Sequence, residues 1–144
     1  MKKVKFIVVT VIGLLAATAC TQRNVYESPE NPVEIYSQEF VVGDRNWTLR
    51  SDASGPFYET ILEAPVLRDA YFKGLIMVYL FLDYDTNLET QIPLPYTFYG
   101  ADFSIEYEYD MMSDGTIAVR AYSSDGLSPG SQVFRVAIAW QIEN

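Results

Sequence analysis

Three carboxylates alternate along one apolar segment, and paired carboxylates are the groups that cleave glycosidic bonds by acid and base chemistry. Glu106, Glu108 and Asp110 share one side of a predicted strand over residues 103–110. Cleavage requires two such groups to face each other across a cleft at about 5 to 9.5 Å. Because the residues between them are mostly apolar or aromatic and must be buried, a solvated strand face is the simpler interpretation.

Asp83, Asp85 and Asn87 have the spacing of the first three ligands of a calcium-binding loop. The pattern then fails, because Leu88 stands where that loop needs a glycine and Leu94 where it needs a bidentate glutamate. We therefore predict no metal ion. A looser calcium site at a strand end is left as the alternative to a plain acidic turn.

The groups that most enzymes use for proton transfer and nucleophilic attack are missing from the sequence. It contains no histidine, which is the commonest general base and the usual zinc ligand. Lys73 is the sole lysine after Lys5 and has no Ser-x-x-Lys spacing, and residues 126–130 form a proline-bearing turn rather than a phosphate-binding loop. The sequence predicts a protein that is not an enzyme and needs no cofactor.

A stretch of prolines and aromatic residues over 92–100 is the strongest candidate for ligand binding. Tyr96, Phe98 and Tyr99 could stack on a sugar or anchor a protein interface if their rings point outward. The alternative is an edge strand whose rings fill the core, since proline protects an exposed sheet edge from further pairing.

The charge of the chain excludes one class of partner. It has 10 basic and 19 acidic residues, a net charge of −9. Losing Lys2, Lys3 and Lys5 with a leader would leave 7 basic residues and a net charge of −12. Because nucleic-acid binding needs a basic patch, we predict no nucleic-acid partner. The same charge disfavours docking of the protein surface onto anionic lipid.

The first nineteen residues have the three regions of a secretory signal. A basic start at 1–5 is followed by an apolar run at 6–15 and by small residues at 16–19, just before Cys20. Even with the small residues included, the uncharged stretch from Phe6 to Ala19 is fourteen residues long, which is shorter than the roughly 20 residues of a membrane-spanning helix. The junction resembles the lipobox of bacterial lipoproteins, which implies cleavage before Cys20 and lipidation of its thiol. Ala17 departs from the leucine that is commonest at that position, and an ordinary signal peptide is the alternative.

Residues 20–32 are polar and proline-bearing, and we predict a flexible tether there. Thr21 is not the aspartate that retains some lipoproteins in the inner membrane, so outer-membrane sorting is favoured. An acidic run after the cysteine, which resembles a surface-export signal, is absent, and this favours a periplasm-facing anchor over the cell surface.

Beyond residue 32 the dominant pattern is alternation with a period of two, which is typical of half-buried strands. It predicts strands at 33–42, 45–50, 57–63, 103–110, 116–122 and 132–140, with a hairpin turn at 113–115. The segment 74–82 is apolar almost throughout, so we expect a strand covered on both faces at the centre of the fold. Residues 64–73, with Pro65 near the start and Gly74 after the end, suggest one or two helical turns.

Seven or eight short strands within about 110 residues favour an all-β fold, a single antiparallel β-sandwich of immunoglobulin-like or related topology. A small β-barrel is the alternative. The predicted organisation is a signal peptide at 1–19, a lipidated cysteine and tether at 20–32, and one β-sandwich domain at 33–144.

A family resemblance spans most of the chain after the leader. Its pieces are Trp47, the 57–60 strand, Gly74 with 78–80, the 92–96 segment and the closing 134–138 strand. In these pieces the chain resembles small uncharacterised lipoproteins of Bacteroidota. The resemblance implies a β-sandwich on a lipid anchor in a Gram-negative envelope, and it implies no catalytic residues.

These observations predict a membrane-anchored envelope lipoprotein that acts as a non-enzymatic interaction or accessory module. Its expected partners are the membrane, through the N-terminal lipid, and another envelope protein. The alternative is a carbohydrate-binding lipoprotein that uses exposed aromatic rings. Whether a small-molecule ligand also binds is open from the sequence.

Overall fold

The computed structural model describes residues 22–26, 33–64, 70–72, 74–112 and 114–141. Over these residues the chain forms ten strands and a 3-10 turn at Asp44–Asn46. The strands are β1 (Gln22–Tyr26), β2 (Val33–Val42), β3 (Thr48–Asp52), β4 (Gly55–Leu62), β5 (Gly74–Leu82), β6 (Thr90–Pro93), β7 (Tyr96–Tyr99), β8 (Ser104–Met111), β9 (Ile117–Ser123) and β10 (Gln132–Gln141).

The strands form two five-stranded antiparallel sheets. The first sheet has the order β1-β2-β10-β5-β6 and the second has the order β3-β4-β9-β8-β7. The C-terminal strand β10 lies at the centre of the first sheet, paired with β2 on one side and β5 on the other. The predicted antiparallel β-sandwich is confirmed, and the barrel alternative is wrong because each sheet keeps two edge strands.

The alternation of side chains along the central strands builds one core between the sheets. On β10, Phe134, Val136 and Ile138 are buried, while the residues between them are half-buried. The second sheet contributes Tyr107 and Val119 to the same core. Burying a side chain of this size stabilises the folded state by about 1.5 to 3 kcal/mol relative to leaving it exposed.

Strand β5 is covered on both faces only near its C-terminal end. Val78 and Leu80 are buried in the core. On the opposite face Phe81 is buried as well, because the Arg135 guanidinium lies 4.9 Å from its ring centroid and the Tyr84 ring lies 5.2 Å away. Leu75, at the other end, is 65% exposed. The central strand of the sheet is β10 rather than β5.

Two other segments differ in detail from the sequence prediction. The strand predicted at 45–50 begins only at Thr48, because Asn46 closes a turn: its Oδ1 accepts from the N–H of Gly43, and its N–H donates to the carbonyl of Gly43. Part of the predicted tether, Gln22–Tyr26, pairs with β2 as an added edge strand. The predicted helical turns at 64–73 lie mostly outside the described residues.

The turn between β8 and β9 follows the sequence prediction more closely. The two strands pair as a hairpin from Ile105 and Ser123 to Met111 and Ile117. Gly115 has a φ of 89°, the left-handed conformation that glycine adopts without strain.

The connection from β6 to β7 carries the chain from the first sheet to the second. It contains a cis Leu94–Pro95 bond, and Leu94 donates its N–H to the carbonyl of Val78 at 2.8 Å.

Candidate functional site

The aromatic candidates on β7 do not share one surface. Tyr96 and Phe98 are half-buried and pack against the core, whereas Tyr99 is 77% exposed on the other face of the strand. Strand β7 is the edge of the second sheet, and Pro95 immediately precedes it. This arrangement matches the interpretation of an edge strand that fills the core, and one of the three rings is left open to solvent.

The acidic residues of β8 lie on the outer face of the second sheet rather than in a cleft. Arg120 of the neighbouring strand bridges two carboxylates there, 2.5 Å from Asp110 Oδ2 and 3.4 Å from Glu59 Oε2. Glu106 is exposed and Glu108 is half-buried on the same face. These carboxylates lie side by side on one face of a sheet, and the Arg120 guanidinium of β9 pairs with Asp110 of β8 and Glu59 of β4. They therefore lack the facing geometry of acid and base cleavage.

The loop that carries the calcium-like spacing closes on itself through its own hydrogen bonds. Asp83 and Asp85 have left-handed φ angles of 53° and 59°. The carbonyl of Asp83 accepts from the N–H and the hydroxyl of Thr86, and the N–H of Asp85 donates to Glu89 Oε2. Among the described residues no group of three or more acidic, histidine or cysteine side chains is placed to hold a metal ion.

Cys20 and the leader lie outside the described residues, so lipidation of that thiol stays a prediction. Within the part of the chain that the structure describes, no helix has the length and apolar character required to cross a membrane.

A cavity of about 390 Å³ lies between the two sheets at one end of the sandwich. Its walls are apolar and are formed by Leu80, Leu82, Phe98, Phe103, Ile105 and Tyr107. Burial raises the pKa of the Tyr107 phenol, so that wall is uncharged at neutral pH. The volume falls within the range of roughly 300 to 1,000 Å³ that is typical of small-molecule sites.

The rim of the cavity is polar on one side. Ser123, at the end of β9, and Gln132, at the start of β10, line it together with Asp125, Leu127, Ser128 and Pro129 of the connecting loop. Side chains from elsewhere in the fold hold this loop in place. The Trp47 indole N–H donates to the carbonyl of Gly130 at 2.8 Å, and the Tyr58 hydroxyl donates to that of Gly126 at 3.1 Å.

The Asp125 carboxylate gives the rim its charge. Its Oδ1 accepts from the Ser123 hydroxyl at 2.5 Å and from the N–H of Leu127 at 2.9 Å. These two hydrogen bonds, the Ser123 bond foremost, lower the pKa of Asp125 below its ordinary value of 3.8. Asp125 is therefore ionised at neutral pH, and none of the described residues that line the cavity is basic.

The outer face of the first sheet is unusually apolar. It is formed by the side chains of β2, β10 and β5 that alternate with the buried ones, in cross-strand rows such as Ile35, Ala139 and Leu75, or Val41 and Val133. Val41, near the end of β2, is 72% exposed. An antiparallel sheet with one solvated face ordinarily presents polar residues there. Exposed apolar side chains on such a face, here Leu75 and Val41, are a feature of interaction surfaces.

One ion pair interrupts this apolar surface. Arg135 bonds to Glu39 on β2, and its second guanidinium nitrogen donates to Gln91 Oε1 at 2.8 Å. Tyr84 donates its hydroxyl to the other Glu39 oxygen at 3.1 Å. The outer face of the second sheet is different, because charged residues such as Glu59, Arg120 and Asp110 cover its centre.

The sequence prediction missed both of these sites. The outer face had a signal, because Ala137 and Ala139 stand where a solvated strand would carry polar residues. The cavity had none, since its walls come from strands far apart in the sequence. No protein-family model matches the chain, and comparisons with curated proteins and with solved structures find no similar protein.

Proposed function

We propose that the chain is a membrane-anchored lipoprotein of the bacterial envelope whose β-sandwich is a non-enzymatic interaction module for another envelope protein. The observation that carries the proposal is the apolar outer face of the first sheet. Leaving apolar surface in water costs about 25 cal/mol per Å², and covering it with a partner recovers that free energy. The proposed anchor rests on the secretory signal and on Cys20.

A protein partner fits this face better than a lipid surface does. The pairing of Arg135 with Glu39 puts two charged groups in the middle of the apolar rows. Hydrocarbon would strip the remaining water from these partly exposed charges and add no polar contact, whereas protein interfaces combine an apolar centre with polar groups. The net charge of −9 also disfavours contact with anionic lipid headgroups.

The start of β1 would keep the module close to its anchor. Gln22 pairs with Ser37 in the middle of β2, and Cys20 precedes it by two residues. Two residues span at most about 7 Å. A lipid on Cys20 would therefore hold the edge of the first sheet near the bilayer, where a membrane-bound partner is within reach.

The carbohydrate-binding alternative has less support. It requires several aromatic rings on one exposed surface. Of its three candidates, Tyr96 and Phe98 pack against the core and Tyr99 alone is exposed. We therefore propose the protein-interaction function without a second candidate.

The interaction is tested by affinity capture of the lipidated chain from detergent-solubilised envelope, with mass spectrometry of what it retains. Leu75→Asp places a charge on the outer face, and Leu88→Asp is the matched control because that loop leucine is similarly exposed, 69% against 65%. We expect a stoichiometric partner with the wild-type chain and with Leu88→Asp, and its loss with Leu75→Asp. Capture of no stoichiometric partner, or equal capture by both variants, would contradict the proposal.

The anchor has its own test. Cys20→Ala removes the thiol that receives the lipid, so we expect the variant to lose labelling by a fatty-acid probe and to leave the membrane fraction. A variant that is still labelled would show that the lipid is attached elsewhere. The result is independent of whether a partner protein is captured.

A further inference from the structure

The cavity lies at the end of the core, where the inward-facing side chains of β9 and β10 change from apolar to polar. Along β9 the inward-facing series runs Ile117, Val119, Ala121 and then Ser123, and along β10 Gln132 precedes Phe134. Leu80 and Tyr107 are buried at the inner end of the cavity, whereas Ser123 and Gln132 line its outer part. A ligand that filled this space would contact apolar groups at the inner end and, at the outer end, the polar groups Ser123, Asp125 and Gln132 beside Leu127.

The rim is held in place without a ligand. Besides the hydrogen bonds from Trp47 and Tyr58, the Ser128 hydroxyl donates to Asp44 Oδ1 at 2.9 Å, and the Gln132 side chain donates to the carbonyl of Pro129 at 2.8 Å. The loop is therefore tied to β4, to β10 and to the segment that precedes β3. A site that is already formed does not have to order its loop when a ligand binds, which favours affinity.

The rim also has a definite charge preference. The Asp125 carboxylate is the one charged group among the described residues that line the cavity. A cationic or hydrogen-bond-donating group complements a carboxylate, whereas a second carboxylate is repelled by it. The apolar walls select the body of a ligand, and Asp125 selects its end.

We propose that this cavity binds a small amphiphile with an apolar body and a protonated amine at one end. The apolar body lies against Leu80, Leu82, Phe98 and Ile105, and the ammonium group lies at the rim beside Asp125. This site is separate from the outer face of the first sheet and does not depend on the lipid anchor or on a partner protein.

The test compares octylammonium with octanoate, two ligands of equal chain length and opposite charge. The purified full chain carries Trp140→Phe, so that Trp47, which bonds to Gly130 in the loop that carries the rim residues, is the fluorescent reporter. Each ligand is titrated below its micelle concentration in one nonionic detergent, and isothermal titration calorimetry gives a second measure of affinity. Because Asp125 is exposed and water screens its charge, we expect saturable binding of octylammonium and about threefold to tenfold weaker binding of octanoate.

Two variants assign the binding to this cavity. Asp125→Asn removes the charge of the rim, so we expect the preference for octylammonium to disappear. Asp114→Asn is the matched control, because Asp114 is also an exposed turn aspartate but lies at the opposite end of β9, where it accepts from Thr116. It should keep the full preference, and general partition of ligand into detergent affects both variants equally.

Leu82→Trp fills the cavity and adds a second tryptophan, so its binding is measured by calorimetry alone. We expect it to lose binding of both ligands while retaining a cooperative thermal transition. If this variant fails to fold, the comparison of the two aspartate variants decides the question alone. The proposal is overturned if the wild-type chain binds neither ligand, if octanoate binds as tightly as octylammonium, or if Asp125→Asn keeps the preference.

Discussion

The indole of Trp47 connects the rim of the cavity to the segment that crosses from the first sheet to the second. It is buried, and its N–H donates to the carbonyl of Gly130 at 2.8 Å. Trp47→Phe removes the donor and leaves that carbonyl without this bond. We expect the free energy of unfolding to fall by about 1 to 3 kcal/mol, measured by urea unfolding followed by circular dichroism.

Tyr58→Phe is the matched comparison for that bond. Its hydroxyl donates to the carbonyl of Gly126 at 3.1 Å in an exposed position, where water can replace the lost donor. The expected loss is therefore within about 0.5 kcal/mol. Equal losses in the two variants would show that burial does not decide the contribution of these bonds.

The lowered pKa of Asp125 predicts that the stability of the fold depends on pH. Its hydrogen bonds from the Ser123 hydroxyl and the Leu127 N–H lower its pKa in the folded state below the ordinary value of 3.8. A lowered pKa contributes stability that is present above the unfolded value and is lost as the pH falls through the folded value. We expect Asp125→Asn to be less stable than the wild-type chain at neutral pH.

Below the folded pKa of Asp125 that difference should shrink, because the protonated carboxyl then resembles the amide. Urea unfolding of both chains at neutral pH and well below pH 3.8 measures it. A difference that stays constant or widens on acidification would exclude a contribution from the ionised carboxylate.

Strand β10 contributes more to stability than any edge strand, because it pairs on both sides and its inward face lies in the core. Phe134 is fully buried, with ring contacts to Trp47 at 6.1 Å and Tyr107 at 6.2 Å. We expect Phe134→Ala to lower the free energy of unfolding by about 3 to 5 kcal/mol.

An edge strand provides the comparison for β10. Leu49 on β3 is 59% exposed, so Leu49→Ala should change the free energy of unfolding by no more than about 0.5 kcal/mol. Urea unfolding of both variants tests the contrast. A loss of similar size in the two variants would contradict the central role of β10.

The strands with strict alternation could be predicted from the sequence because the alternation of apolar and polar residues is visible within a single segment. In β8 the buried Ile105 and Tyr107 alternate with Glu106 and Glu108, and β9 follows through a turn at Gly115. The partners of each strand could not be predicted in the same way. The pairing of Phe40 with Phe134 joins residues far apart in the sequence, and no local pattern encodes it.

The candidate sites differ in the same way, because some depend on one segment and others on contacts between distant segments. The carboxylates of β8 lie on the solvated face that the alternation predicts. Tyr96 and Phe98 pack inward from an edge strand that follows a proline, which is the alternative that the sequence left open. The cavity depends instead on which inward positions of β5, β8, β9 and β10 meet across the two sheets. That juxtaposition is a property of the assembled sandwich, so neither its walls nor Asp125 could be recognised as a site from the sequence.

The two sheets share one core, and this makes the sandwich a single cooperative unit. Strand β10 extends through that core from the cavity at Gln132 to the opposite end at Trp140, and its buried residues pack with Tyr107 and Val119 of the second sheet. Neither sheet can lose its partner without exposing the inward faces of both. Proteins of this size with one core ordinarily unfold without a populated intermediate.

The two tryptophans lie at opposite ends of this unit and can test it. Trp47 lies beside the cavity, and Trp140 lies beside Gly74 at the far end of β10. Variants that keep a single tryptophan, Trp140→Phe and Trp47→Phe, report on one end each. Within each variant we expect the urea midpoint from fluorescence to equal the midpoint from far-ultraviolet circular dichroism, although the two variants differ in stability. A fluorescence transition that precedes loss of the strands at either end would show that this end opens separately and that the sheets do not unfold as one.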